Sequence, residues 1–290
     1  MVTRSIPEAI SVGIAALARM QGADGSFPLF TGTGPTGWLP CGRLFSTAYI
    51  MLGAGGLLPS DNIARALAFI RSQRRPDGLW EYDPAIRIPP DADSTSCSLA
   101  ALVLHADGPD LAGGADLLRS YWRADGGPFR TWKATGIWSM PERDDAVVNC
   151  NILFALRLLA VPATAAEEAA VRELLQSTKG RSRYYCSPAT IAHAARRAGL
   201  EQNALPPLAI ACPQPNDLLG CAQWLCAMPE PNAALITGVL AAQRADGSWP
   251  LWPWVTGAGN PKPFWGSAAI TTALAIEALW RHTSPPTSHL

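Results

Sequence analysis

The chain has 290 residues, 48% of them hydrophobic, and a formal net charge of zero. That length suits one large domain or two small ones with a sizeable core, and balanced charge without a Lys/Arg cluster excludes an electrostatically driven nucleic-acid partner. Met1 to Pro7 runs straight into an amphipathic segment, which predicts no signal peptide, and no apolar run is long enough for a membrane span. The seven cysteines are odd in number, scattered and without a CxxC pair, so they read as reduced thiols of a cytoplasmic protein.

Taken in order, the chain repeats itself. Four loops share a signature: Gln21 to Phe27 with Asp24-Gly25, Gln73 to Trp80 with Asp77-Gly78, Trp122 to Phe129 with Asp125-Gly126, and Gln243 to Trp249 with Asp246-Gly247. Weaker copies fall in the gap, at Gln176 to Tyr184 and at Cys212 to Asn216. An amphipathic segment precedes each loop; Ile63, Leu67 and Ile70 fall on one helical face, with Arg65, Arg71 and Ser72 off it. A segment apolar nearly all round follows each loop after a variable insert: Phe45–Ala54, Ser94–Ala106, Ala146–Ala160, Ser187–Ala198, Leu218–Met228 and Ser267–Trp280. The first helices of the pairs are predicted near 7–21, 61–74, 111–122, 164–177, 203–212 and 231–243. No segment sustains apolar/polar alternation, so no sheet is predicted. Six helical hairpins, each half wet and half dry, predict two concentric rings with the dry helices inside. An open solenoid is the alternative. The last hairpin is as apolar as the middle ones, which favours closure.

Within this frame the stretch Pro89-Pro90-Asp91-Ala92-Asp93-Ser94-Thr95-Ser96 stands out. The prolines end what precedes them, and Asp93 or Ser94 is placed to cap the dry helix that follows. Two readings of Asp93 stay open. It is a helix cap, or it is an acid. An acid at neutral pH has to be raised from about 3.9, which burial and a like-charged neighbour such as Asp91 can do, against the helix dipole. Asp145 opens the third dry helix in the same way, with Glu142, Arg143 and Asp144 before it as a solvated charge run. His193 lies within the fourth dry helix, where it is either a satisfied core residue or a partner of the acid. The inserts are aromatic: Trp38, Phe45, Trp132, Trp138, Tyr184, Tyr185, Trp252, Trp254, Phe264 and Trp265 should gather at the end where the dry helices begin. Aromatic faces stabilise cations. Trp80 and Trp249 are expected to pack between repeats instead.

The Gln-x-x-Asp-Gly-Ser-Trp loops resemble the QW repeats of squalene and hopene cyclases and their relatives, the class II diterpene cyclases and the protein prenyltransferase β subunits. The resemblance covers essentially the whole chain at the level of repeat pattern. It implies an all-α (α/α)6 toroid of six hairpins over residues 1–284, with 285–290 as a flexible tail. Asp91-Ala92-Asp93-Ser94-Thr95 resembles the DxDD(T) motif of class II cyclases, in which the second aspartate, here Asp93, protonates an alkene or epoxide. Ser94 stands where the family has its last acidic residue. Relatives pair two toroids; this chain has residues for one. The prenyltransferase zinc ligands have no counterpart, because Trp249–Thr272 contains no Cys and no His, and no DDxxD motif occurs.

What the resemblance implies is protonation-initiated cyclisation of an isoprenoid. Asp93 is then the acid and Asp91 its partner, and the aromatic inserts, Asp145 and His193 surround the substrate. No cofactor is implied, and magnesium only for a diphosphate substrate. The alternatives are a non-catalytic toroid that binds a prenyl chain or a partner protein, and an enzyme of the same fold acting on a non-terpenoid substrate. The long loops 28–41, 130–143 and 249–265 are expected to cover the mouth themselves or to be covered by a second copy of the chain, and contact with a membrane surface is left open.

Overall fold

The computed structural model describes residues 4–34, 37–82, 89–105, 111, 113–133, 144–200, 203, 205–257 and 261–283. The predicted hairpins are there. The first members are α1 (Ile6–Met20), α3 (Ser60–Ser72), α5 (Gly114–Arg119), α7 (Ala165–Ser177), α9 (Pro207–Ile210) and α11 (Ala233–Ala241). The second members are α2 (Leu44–Gly53), α4 (Ala92–His105), α6 (Ala146–Leu158), α8 (Ala189–Arg197), α10 (Leu218–Ala227) and α12 (Ala268–Arg281).

The periodicity of each helix decides its place. In α1 only Ala9, Gly13, Ala16 and Leu17 are buried, one stripe of an amphipathic helix. In α6 every residue from Ala146 to Leu156 is buried, and in α12 every residue from Ala269 to Leu279. The second members pack side by side in a closed circuit: α2 on α4, α4 on α6, α6 on α8, α8 on α10, α10 on α12 and α12 on α2. The first members lie outside, and α1 packs on α12 across the seam between the first and last hairpins. The fold is therefore an all-α (α/α)6 toroid. No helix among the described residues is long and apolar enough to cross a membrane, and all seven cysteines are free thiols.

The repeated loops hold neighbouring hairpins together. Gln21 Nε2 donates to Gly25 O and to Asn62 O on α3. Gln243 Nε2 donates to Gly247 O and, across the seam of the ring, to Ala9 O on α1. Asp24 and Asp246 each accept from the backbone N–H and hydroxyl of the serine two residues on. Trp80 and Trp249 are fully buried and donate their indole N–H to Ile70 O and Val239 O, so they pack between repeats.

The glycine of the loop is required twice over. Gly247 has φ +90° and sits so close to α1 that a Cβ would lie 2.5 Å from Val12 O. Gly126 has φ +79° but open space around it. Gly126→Ala is expected to cost only left-handed backbone strain, about 1–2 kcal/mol, and Gly247→Ala clearly more. Urea unfolding of both variants beside the parent checks this, and equal losses would mean that the loop is not pressed against α1.

One expectation is corrected. A small antiparallel sheet is present, formed by β1 (Leu29–Gly32), β2 (Leu39–Cys41), β3 (Pro253–Thr256) and β4 (Phe264–Gly266) in the order β2-β1-β4-β3. Phe30 pairs with Pro40 on one side and Gly266 on the other, and Val255 pairs with Trp265. Strands of three and four residues carrying Pro and Gly are too short to show a period of two. The sheet joins the insert of the first repeat to that of the last, so it fastens the seam of the toroid. The described residues of the inserts 28–41 and 249–265 thus fold on their own chain. Most of 130–143, together with Trp138, Glu142, Arg143 and the tail 285–290, lies outside the described residues.

Candidate active site

The helix that carries the two aspartates starts earlier than predicted. α4 begins at Ala92, and its cap is Asp91, whose Oδ1 accepts the Ser94 N–H at 2.6 Å. Asp93 and Ser94 are not caps but lie in the first turn. Backbone bonds hold the approach in place, from Asp91 N–H to Trp80 O at 3.3 Å and from Ala92 N–H to Thr131 O at 2.8 Å. With the cap supplied by Asp91, the Asp93 carboxyl is free to enter the ring.

Asp93 meets two partners from elsewhere in the chain. Tyr185 donates its hydroxyl to Oδ2 at 2.5 Å, and Asn151 on α6 donates its amide to Oδ1 at 2.7 Å. The Cys97 thiol lies one turn further along α4, 3.8 Å from Oδ1. Asp93 is 8% exposed and Asp91 3%. Burial raises Asp93 to about 6, opposed by the bonds from Tyr185 and Asn151 and aided by the charge of Asp145. Burial raises Asp91 to about 7, opposed by the Ser94 N–H and aided by Asp93, and its Oδ2 is buried with no hydrogen-bond partner. The burial of both groups outweighs the helix N-terminus, which favours carboxylates.

This shift has a consequence for stability. A carboxyl whose folded pKa lies above its unfolded value stabilises the fold at low pH and loses that contribution as pH rises through the folded pKa. Stability is therefore expected to fall between pH 4 and about pH 7. The double variant Asp91→Asn/Asp93→Asn should remove that slope. Chemical unfolding across this range measures it, and a parent curve no steeper than the variant's would contradict the burial of these groups in their neutral form.

Asp145 has a different place. It caps α6, accepting from Val147 N–H at 2.9 Å and Val148 N–H at 3.3 Å through Oδ1, and from Ser182 Oγ and Arg183 N–H, both at 2.7 Å, through Oδ2. Burial pushes its pKa up and these donors oppose that. Asp145 thus ties the segment before Tyr184 and Tyr185 to the ring and aims Tyr185 at Asp93. The same segment is fastened to the sheet, from Thr256 N–H to Tyr184 O at 2.6 Å and from Cys186 N–H to Trp254 O at 3.0 Å.

The aromatic inserts divide into two groups. Trp254 is fully buried and is met by Phe45, stacked at 5.0 Å, by Tyr49 at 4.6 Å and by Tyr185, edge-on at 5.7 Å. Tyr82 joins through Phe45 at 5.6 Å. This cluster begins at the residue bonded to Asp93. Trp132 and Tyr184 form a neighbouring pair, joined by a 3.0 Å bond from the indole N–H to the Tyr184 hydroxyl, next to the Asp91 backbone. Trp38, Trp252, Phe264 and Trp265 are half-buried on or beside the strands of the sheet rather than in the Trp254 cluster. Tyr49, Tyr82 and Asn151 were not singled out from the sequence. Only a polar residue inside a dry helix could have pointed to Asn151.

His193 is not brought to Asp93. Its Nε2 lies 3.1 Å from Glu277 Oε1, in a buried group with Arg197 near the opposite, C-terminal ends of the inner helices. Burial, aided by the Arg197 charge, lowers His193 to about 4, which keeps the imidazole neutral. His193, Cys226 and Glu277 have potential ligand atoms within 4.8 Å of one another, the one such group among the described residues. Two guanidiniums, Arg197 and Arg281, already bond the Glu277 carboxylate, which makes the corner a poor place for a further cation.

No family model matches the chain, and no curated protein is similar enough in sequence to match it. Solved structures do match. The type II terpene cyclase MstE from Scytonema superposes with a TM-score of 0.68 at 16% identity, over 94% of this chain and 97% of that one. Single-residue variants of MstE have also been solved with the substrate geranylgeranyl dihydroxybenzoate and with the product merosterolic acid A. The ent-copalyl diphosphate synthase from Streptomyces platensis matches with a TM-score of 0.54 at 17% identity, over 83% of this chain and half of that one. An unsaturated glucuronyl hydrolase from Bacillus sp. GL1 matches with a TM-score of 0.61 at 15% identity, over 96% and 97%. At these identities the likeness establishes the fold, a single α/α toroid matching the type II terpene cyclase MstE from end to end.

Proposed function

We propose that this chain is a terpene cyclase of the protonation-initiated type, acting on an isoprenoid or isoprenoid-derived substrate. The observation that carries the reading is the Asp93 carboxyl, buried in the ring, raised to about 6 and joined through Tyr185 to the Phe45–Tyr49–Trp254 cluster. In the first step the π electrons of an alkene, or the oxygen of an epoxide, take the proton from Asp93. The O–H bond breaks, a C–H or O–H bond forms, and Asp93 is left as the carboxylate. The resulting carbocation is attacked by the next alkene of the folded chain. Loss of a proton ends the sequence, so substrate and product are isomers.

The chain's own residues have defined parts in this. Tyr185 and Asn151 hold the two oxygens of Asp93 and fix its direction. The charge of Asp145 opposes ionisation of Asp93, and Asp91, itself raised to about 7, stays neutral beside it while Asp93 ionises. The rings around Trp254 offer π faces to the cation without a strong nucleophile. The pairing with an apolar, prenylated molecule is supported by the fold shared with MstE, whose complexes hold such a substrate and product. Proton transfer from Asp93 and attack by the next alkene need no metal or cofactor. The notion of a second copy over the mouth loses its main motive, because two of the three long inserts fold into the seam sheet.

The test is conversion of prenylated aromatic acids, geranylgeranyl and farnesyl compounds and squalene, followed as products of unchanged mass. Turnover should be constant at low pH and fall above about pH 6 as Asp93 ionises. Binding without turnover by all of them would favour a non-catalytic prenyl-binding toroid. Cleavage of an unsaturated glucuronide would favour the chemistry of the hydrolase that shares the fold.

A further inference from the structure

The far end of the ring holds a second buried polar group that the cyclisation steps do not use. Glu277 on α12 is met by the neutral His193, whose Nε2 lies at 3.1 Å, and by two guanidiniums, Arg197 Nη2 at 3.2 Å and Arg281 Nη2 at 3.1 Å. Gly53 at the end of α2 makes the room, since a Cβ there would lie 2.3 Å from Glu277 Oε2. The carboxylate is thereby saturated, but Arg197 is not. Its side chain is 4% exposed, and Nε and Nη1 are buried without a hydrogen-bond partner. A guanidinium has five N–H groups and no way to shed its charge, and buried donors left unpaired are costly.

The surroundings say what would pair them. Arg197 lies over the ring of Tyr49, 4.9 Å from Cζ to centroid, and the Tyr49 hydroxyl is buried and unpartnered as well. Tyr49 is in turn a member of the Trp254 cluster that leads back to Tyr185 and Asp93. With His193 neutral, the corner holds two guanidiniums against one carboxylate. The surplus is positive, and Arg281, 24% exposed, reaches water while Arg197 does not.

We propose that Arg197 and Tyr49 form an oxyanion-binding subsite at the floor of the ring, and that the molecule this chain takes is an isoprenoid bearing a carboxylate or a similar singly charged acidic group. The proposal rests on the isoprenoid reading above and narrows it, because a neutral hydrocarbon would leave these donors unpaired. The acid would be held at Arg197 and Tyr49 while an alkene of the same molecule lies at Asp93, so the two ends of the aromatic cluster set the fold of the substrate between them.

The test is a titration by tryptophan fluorescence at neutral pH with farnesoic acid and its methyl ester, which differ only in the charge of one end. The parent should bind the acid about ten- to a hundredfold more tightly, the worth of a charge-assisted hydrogen bond in a dry site. Arg197→Gln should bring the acid down to the ester's affinity and leave the ester unchanged. Tyr49→Phe keeps the ring and the Glu277 network, and should lower only the acid's affinity, by a smaller factor; it decides the matter if Arg197→Gln does not fold. Equal binding of acid and ester by the parent would overturn the subsite and leave the isoprenoid reading standing. A preference for the acid that neither variant reduces would overturn its location. Binding of neither compound would overturn the isoprenoid reading and this proposal with it.

Discussion

Asp93→Asn should abolish turnover and leave the protein folded and able to bind. Asparagine keeps the size of the side chain. Its oxygen can accept from Asn151, and its amide can donate to the Tyr185 hydroxyl, so both partners of Asp93 stay satisfied. What disappears is the transferable proton. General acid help is typically worth ~10²–10⁴-fold, and an unactivated alkene is a very weak base, so the loss should lie at or beyond the upper end. Stability should move the other way. At pH 7 the parent carries Asp93 above its folded pKa of about 6, and the neutral amide escapes that cost, worth about 2–3 kcal/mol by the shift from an ordinary aspartate. Asp91→Asn should be milder in turnover, since asparagine still caps α4 and the Asp93 carboxyl keeps its bonds to Tyr185 and Asn151. The measurement is product formation and thermal unfolding of both variants beside the parent. Equal turnover by the parent and Asp93→Asn would end the proposed mechanism.

Deleting residues 265–290 should destroy cooperative unfolding altogether. The deletion removes most of β4 and all of α12, which touches α10 and α2 in the inner ring and α1 in the outer. It also removes Glu277, leaving Arg197 as a buried, uncompensated charge, a change that by itself costs about 3–5 kcal/mol. In an open stack of hairpins the loss of a terminal pair would shorten the array and lower its midpoint modestly. In a closed ring it exposes the dry faces of α10 and α2 and both sides of the seam, against a total stability of about 5–15 kcal/mol for a typical domain. Calorimetry of the truncated protein decides: one sharp transition near the parent temperature would refute a ring whose stability depends on closure.

Much of the architecture was legible in the residues because it is local and repeated. Ile63, Leu67 and Ile70 show the wet and dry faces of α3 by themselves, and Ala146 to Leu156 show that α6 has no wet face. The Asp-Gly loops mark four of the six turns, since few residues other than glycine tolerate the left-handed backbone found at Gly25, Gly78, Gly126 and Gly247. Six such pairs, alternating wet and dry, leave few ways to hide the dry faces. The sheet escaped because its strands are three or four residues long and pair across most of the chain, Phe30 with Gly266.

The site divides along the same line. The sequence alone determined that two carboxylates stand at the mouth of a dry helix among aromatic inserts, since capping preference and helical periodicity depend on neighbours in the chain. It left Asp93 open between a helix cap and an acid, since an aspartate at the start of a dry helix suits both. Tertiary structure gave the cap to Asp91, by starting α4 at Ala92, and brought Tyr185 and Asn151, from 92 and 58 residues away, onto the Asp93 carboxyl. It likewise paired Glu277 with His193 and Arg197 across the ring, which no spacing in one helix could announce. The physical reason is that a helix face is set by its own residues, whereas the protonation of a carboxyl and the partners of a guanidinium are set by the solvent and charges removed or supplied when distant elements pack.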